Sequence, residues 1–228
     1  MGVHDGHRAR LREKFTEYGL ETFNDVNALE LLLFYSVPRK DTNELAHRLI
    51  EHFGNLAEVF NASIEELTEV QGISYNSAVL ISLMPQLYKK AEISSISQMK
   101  KIKNSRDAGA YLLPRFLNER DEVLLLLCLD NKRDVICCRE IARGTVNSVD
   151  VSSRRVVETA LKVKASSVII AHNHPRGILM PSREDERFTK ELMKSLSVIG
   201  ITLEDHIIVA DKNYVSLMDA GMFQFFKF

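Results

Sequence analysis

The sequence predicts an α+β protein: a small all-α N-terminal domain, then an α/β domain with a mixed sheet covered by helices. Three observations carry this. From residue 7 to 90 apolar residues recur at helical spacing. Beyond residue 105, β-branched apolar runs of strand length alternate with amphipathic helical stretches. Between the two, AEISSISQMKKIKNS (91–105) is polar and rich in Ser and Lys, the composition of a linker. The expected boundaries are a helical domain over 1–92, a linker over 93–104 and an α/β domain over 105–228.

The elements follow in order. ALELLLFYSV (28–37) is an apolar helix stopped by Pro38. TNELAHRLIEHF (42–53) carries Leu45, Leu49, Ile50 and Phe53 on one helical face, with Thr42 as N-cap and Gly54 as stop. NLAEVFNA is a short helix, and SIEELTEV opens on a capping box between Ser63 and Glu66. A further helix resumes around Ser77. SRDAGAYLLPRFLN (105–118) is a helix kinked by Pro114. EVLLLLCLD (122–130) and DVICCREIA (134–142) are strands joined by a turn at Asn131-Lys132. SSRRVVETALKVK (152–164) is an amphipathic helix, and SSVIIAHNH (166–174) is a buried strand. A helix over 182–200 ends at Gly200, and 201–211 and 214–219 complete the sheet.

Bulk properties narrow the function classes. No run of about 18 apolar residues exists, so no membrane partner is expected. The opening MGVHDGHRARLREKF lacks the apolar region of a signal peptide. Three cysteines, two of them adjacent, do not form a disulfide framework and fit a reducing cytoplasm. Residues 1–90 hold 9 Lys+Arg against 13 Asp+Glu, a balance of −4, so the first domain lacks the basic footprint of a phosphate-backbone binder.

LTEVQGISYNSAVLI (67–81) is similar to a helix-hairpin-helix, in which a Gly-x-Gly turn offers backbone N–H groups to a DNA phosphate. Here the turn is Gly72-Ile73-Ser74, without the second glycine. Two readings stay open: a DNA-binding turn through Gly72 and Ser74, or a packing module with a tight turn.

AHNHPRGILMPSRED (171–185) raises the central question. Side chains two apart on a strand share a face, so His172 and His174 emerge together at the strand's carboxyl end, where α/β proteins keep ligands. Two co-facing neutral imidazoles suit zinc, although His-x-His alone also fits one buried and one surface histidine. Ser182 and Asp185 form a capping box that needs no metal. The loop from Pro175 to Pro181 is long enough to bring that first helical turn beside the strand end. Asp185 then becomes a third ligand, with a fourth position left for water.

His-x-His-Pro followed by Ser-x-x-Asp resembles the JAMM motif of the JAB/MPN metalloprotease superfamily, and the spacing in HNHPRGILMPSRED resembles its RadC branch. GHRARLREKF (6–15), the helical hairpin, EVLLLLCLD, RGTVNS (143–148) and LEDHIIVADKNYVSL (203–217) match the same pattern, so the resemblance covers nearly the whole chain. It implies an MPN/JAB-like second domain with one zinc ion per chain held by His172, His174 and Asp185. Ser182 would steady the oxyanion of a tetrahedral intermediate. An upstream glutamate would be the general base: Glu122 holds that place, with Glu119 and Glu140 as weaker candidates. His206 and Asp205 are implied near the site, Asp205 as the group fixing the tautomer of His206. The chain departs from the pattern after the proline. Arg176-Gly177 stands where RadC-type chains usually carry Ser-Gly, and an apolar Ile178-Leu179-Met180 replaces a polar loop. That loop is read either as a rim that selects substrate or as a homo-oligomer contact.

The implied function is a cytoplasmic, zinc-dependent hydrolase attacking an amide bond, peptide or isopeptide, in an unknown protein substrate. Two alternatives stand beside it. One is a DNA-binding repair or recombination accessory protein, or a metal-dependent nuclease with a nucleic-acid substrate. The other is a non-catalytic MPN scaffold.

Overall fold

Caps and stops fix where the first helices begin and end. The computed structural model describes residues 3–38, 40–96, 98–144, 149–175 and 177–225; residues 145–148 of RGTVNS, and Arg176, lie outside the described residues. The helices are α1 (Val3–Tyr18), α2 (Asp25–Leu33), α3 (Asn43–Phe53), α4 (Leu56–Asn61), α5 (Ile64–Glu69) and α6 (Tyr75–Ile96). Asn24 and Asn55 accept the N–H of the third residue on, and Ser63 and Glu66 close a reciprocal capping box. Thr42 does not cap α3: its backbone is already helical, and Asp41 accepts the Asn43 N–H at 2.9 Å instead. Leu29, Leu33, Leu49, Leu67 and Ile81 make the fully buried core of the first unit, each contributing roughly 1.5–3 kcal/mol over exposure.

Two compact units divide at Tyr88/Lys89. The stretch expected as a linker carries structure of its own. Residues 93–96 continue α6, and Ile102 is fully buried, with its N–H on the Arg133 carbonyl at 3.0 Å. Polar composition hid this, because a single buried isoleucine and two backbone bonds leave no periodic signal.

In the second unit α7 (Ser105–Leu112) gives way to a 3₁₀ turn over Leu113–Phe116, where Pro114 removes an N–H from the helix. Then come β1 (Val123–Leu129), β2 (Val135–Arg143), α8 (Val149–Lys162), β3 (Ser167–Asn173), α9 (Arg183–Val198), β4 (Thr202–Ala210) and β5 (Asn213–Ser216). The strand order is β2-β1-β3-β4-β5; β3 and β4 run parallel and the other neighbours antiparallel. This is the expected mixed sheet covered on both faces. Val156 and Ala160 of α8 and Phe188, Leu192 and Leu196 of α9 pack on one face with Leu124, Leu126, Val168 and Ile170. Ala108, Tyr111 and Leu112 of α7 pack on the other with Leu125, Leu127, Ile169 and Ala171. Among the described residues no helix is long and apolar enough to cross a membrane.

Candidate metal centre

The alternation of β3 decides what its last residues face. Val168 and Ile170 lie on the α8/α9 side, so His172 does too; Ile169 and Ala171 lie on the α7 side, and Asn173 follows them. His172 is almost fully buried, and His174 sits just past the strand end. The His174 N–H is held by the Val209 carbonyl at 2.7 Å, and its carbonyl accepts the Gly177 N–H at 3.1 Å. Gly177 adopts φ 74°, the left-handed conformation that turns the loop back toward α9.

The first turn of α9 then meets the strand end. His172 Nε2 lies 2.9 Å from His174 Nε2 and 3.1 Å from Asp185 Oδ1, and His174 Nε2 lies 3.5 Å from Asp185 Oδ2. Ligands 2.0–2.1 Å from a tetrahedral zinc lie about 3.3 Å from one another, so this spacing fits the ion. The donor chemistry fits as well. His174 Nδ1 must donate to the Ile178 carbonyl at 2.6 Å, which leaves its Nε2 lone pair facing the cluster. Bare imidazole nitrogens and a carboxylate at these separations repel unless a proton or a metal ion lies among them. His172, His174 and Asp185 form a group able to hold a metal ion among the described residues.

Ser182 serves Asp185. Its N–H and its hydroxyl both donate to Asp185 Oδ2 at 2.7 Å, and its oxygen accepts the Asp185 N–H at 3.1 Å. Burial pushes the Asp185 carboxyl up, but the His172 ring and the Ser182 donors together outweigh it and hold the carboxyl well below its usual range. The Ser182 hydroxyl proton is thus engaged by a ligand, and reaching an oxyanion requires the hydroxyl to rotate away.

The three glutamates separate cleanly. Glu119 pairs with Lys89 and Arg143, each at 2.5 Å, and Glu140 pairs with Arg143 at 2.9 Å. Burial opposes the Glu119 charge, yet Arg143 and Lys89 together keep its carboxyl below the ordinary range. Glu122 is exposed, makes no ion pair among the described residues, and lines an open cleft of about 440 Å³ with His174, Ile178, Gly144 and Arg120. Asn173 holds the backbone on both sides of it: Oδ1 accepts the Val123 N–H at 2.7 Å, and Nδ2 donates to the Asp121 carbonyl at 2.9 Å. The middle residue of His-Asn-His therefore ties the candidate base to the candidate ligands. A larger cleft of about 720 Å³ borders Arg133, Asp205 and Asp219 but none of the three ligands, so size alone does not mark the site.

Behind His172 the arrangement differs from the expectation. His206 is fully buried and its Nε2 lies 2.8 Å from His172 Nδ1. The Asp205 carboxylate does not touch the His206 ring. It accepts the His206 backbone N–H at 2.7 Å, the Ser216 hydroxyl at 2.6 Å and the Met218 N–H at 3.0 Å. Burial nevertheless pushes the Asp205 carboxyl up to about 6. The partner of the His206 ring is Thr189, whose Oγ1 lies 2.6 Å from Nδ1. Sequence reasoning missed Thr189. Its signal was a hydroxyl in the apolar stripe Phe188, Leu192, Leu196, four residues after Asp185. The cause of the Asp205/His206 reversal is a bulge: the β3–β4 register shifts between Val168 and Ile169, skipping Glu204, and this turns His206 to the α9 side.

In the first unit, Gly72 adopts φ 93°, and a Cβ there would come within 2.7 Å of Leu45 Cδ2. Ser74 precedes α6 and accepts the Ser77 N–H at 3.2 Å. Packing and capping account for both residues.

Comparison with known proteins relates both parts of the chain to described families. Residues 102–222 match the family model for a RadC-like JAB domain, and residues 6–79 match the UPF0758 N-terminal model. A UPF0758 protein of Clostridium perfringens is 38% identical over 212 residues, covering 92% of each chain. A UPF0758 protein of Fusobacterium nucleatum is 34% identical over 224 residues, covering 95% of this chain and 97% of its own. One of Geobacillus sp. is 36% identical over 215 residues, covering 93% and 94%.

Proposed function

This chain belongs to the RadC-like JAB family, within the JAB/MPN superfamily, and on that premise we propose that it is a zinc-dependent hydrolase that cleaves an amide bond, peptide or isopeptide, with one zinc ion per chain. The observation that supports this best is the convergence of His172, His174 and Asp185 at 2.9–3.5 Å, beside a cleft that also holds Glu122. Zinc at such a site supplies Lewis acidity, which brings the deprotonation of a water into the neutral pH range. Glu122 takes the proton of the attacking water and delivers it to the leaving amine. Asn173 keeps Glu122 at the mouth of the cleft. Ser182 orients Asp185, and its hydroxyl reaches a developing oxyanion after rotating away from that carboxylate. The exposed Ile178 and Met180 suit an apolar rim for substrate or a homo-oligomer contact. Free cysteines suit a reducing cytoplasm.

The first test is metal content by mass spectrometry on untagged protein, wild type beside His174→Ala. About one zinc per chain in the wild type and none in the variant supports the site, and a panel of peptide and isopeptide substrates then tests the reaction. No zinc in the wild type after reconstitution turns the reading to a non-catalytic scaffold. The DNA-accessory alternative, acting through Gly72 and Ser74, requires duplex binding whose log K falls steeply with log salt. Flat or absent binding removes it.

A further inference from the structure

We propose that Thr189 and His206 form a directional hydrogen-bond relay that fixes the tautomer of His172, so that His172 Nε2 presents a lone pair, and not an N–H, to the metal. This rests on the reading of His172, His174 and Asp185 as ligands.

The direction follows from one atom. The Asp185 backbone carbonyl can only accept, so the Thr189 hydroxyl, 2.6 Å away, must donate to it. That uses the only proton Thr189 has. Its oxygen must then accept from His206 Nδ1 at 2.6 Å, so His206 carries its proton on Nδ1. His206 has no exposed surface, and a buried imidazole between a hydroxyl and a second imidazole stays neutral. Its Nε2 is therefore bare and accepts from His172 Nδ1 at 2.8 Å. With its proton on Nδ1, His172 turns Nε2 toward His174 and Asp185, 2.9 and 3.1 Å away, as the nitrogen that can give its lone pair to an ion.

Asp185 thus acts twice. Its carboxylate is a ligand, and its carbonyl anchors the relay that prepares another ligand. Thr189 lies one turn further along the same helix, so α9 carries both ends. Running the relay backwards shows its value. Without the Thr189 acceptor, the His206 proton moves to Nε2 and donates to His172 Nδ1. The His172 proton is then forced onto Nε2, where it blocks coordination. Thr189 and His206 are positioning residues; neither touches a reacting atom.

The experiment measures zinc affinity by competition with a chromophoric chelator, and imidazole tautomers by long-range ¹H–¹⁵N spectra of metal-free and zinc-loaded protein. It compares wild type, Thr189→Val and Thr189→Ser. The zinc-loaded wild type is expected to show Nδ1–H tautomers for both His172 and His206, and the metal-free wild type an Nδ1–H tautomer for His206. Thr189→Val, nearly the same shape without the hydroxyl, should bind zinc about 10- to 100-fold more weakly and show both tautomers inverted. Thr189→Ser should restore both. Wild-type affinity in Thr189→Val to within about twofold, or unchanged tautomers, overturns the relay. If Thr189→Val does not fold, the wild-type spectra decide alone: a His206 proton on Nε2 overturns the relay, and one on Nδ1 supports it. A wild type that binds no zinc sinks the ligand reading instead, and the metal-free His206 tautomer still judges the relay.

Discussion

Ser63-Ile-Glu-Glu66 and Ser182-Arg-Glu-Asp185 are the same device in two places. At α5 the Ser63 hydroxyl accepts the Glu66 N–H at 3.2 Å, and Glu66 accepts the Ser63 N–H at 2.7 Å. At α9 the corresponding distances are 3.1 and 2.7 Å. Local geometry cannot tell them apart. The difference lies in what stands opposite. Glu66 is exposed on a surface helix, whereas Asp185 faces two imidazoles at the end of a buried strand. The shorter aspartate helps: one oxygen closes the cap while the other stays turned toward His172. A capping box is therefore complete as structure and still free to become part of a site.

Breaking each box at its third position tests the contrast most strongly. Asp185→Ala should abolish zinc binding, read by metal content, while Glu66→Ala leaves it at the wild-type level. Equal loss in both would mean that fold stability, and not the site, had been disturbed. Next in size is Glu122→Gln, which should keep zinc and lower any established hydrolytic rate by about 10²- to 10⁴-fold. An unchanged rate would remove Glu122 as the base.

Asp205 sharpens the comparison, as a buried carboxylate with several donors and no ion pair among the described residues. Its raised value near 6, against an ordinary 3.8, means that the folded chain still holds a proton that the unfolded chain has released between those pH values. Its contribution to stability is therefore greatest below about pH 4 and declines as pH rises through 6, by on the order of 3 kcal/mol. Asp205→Asn keeps an acceptor for both backbone N–H groups and lacks the titration. Urea melts should show the variant gaining on wild type from pH 4 to 7; a constant gap would assign the raised group elsewhere. The smallest effects belong to the cap serines. Ser63→Ala and Ser182→Ala should each cost about 1 kcal/mol in such melts, and only Ser182→Ala should also weaken zinc binding.

Much of this was legible in the residues. Periodicity gave the helical first unit and the mixed sheet, because a helix or strand that buries one face must repeat its apolar residues at 3.6 or 2. The short interval between strand end and helix cap offered His172, His174, Ser182 and Asp185 as one group. Glu122 could be picked out only through resemblance; the structure adds the reason it differs from Glu119 and Glu140, which Arg143 neutralises.

The sequence by itself determined most of the elements, the capping boxes at Ser63 and Ser182 and the identity of the candidate ligands, because these depend on neighbours a few positions apart. Only the tertiary structure decided which partner each polar group meets. The skipped register at Glu204 turns His206 toward α9 and leaves Asp205 to backbone donors. Thr189 reaches His206 across 17 residues, and Asn173 holds Val123 across 50. Such pairings obey no short period. They are set by which strands lie side by side and which face each residue is turned to, and one bulge reverses that assignment for every residue beyond it.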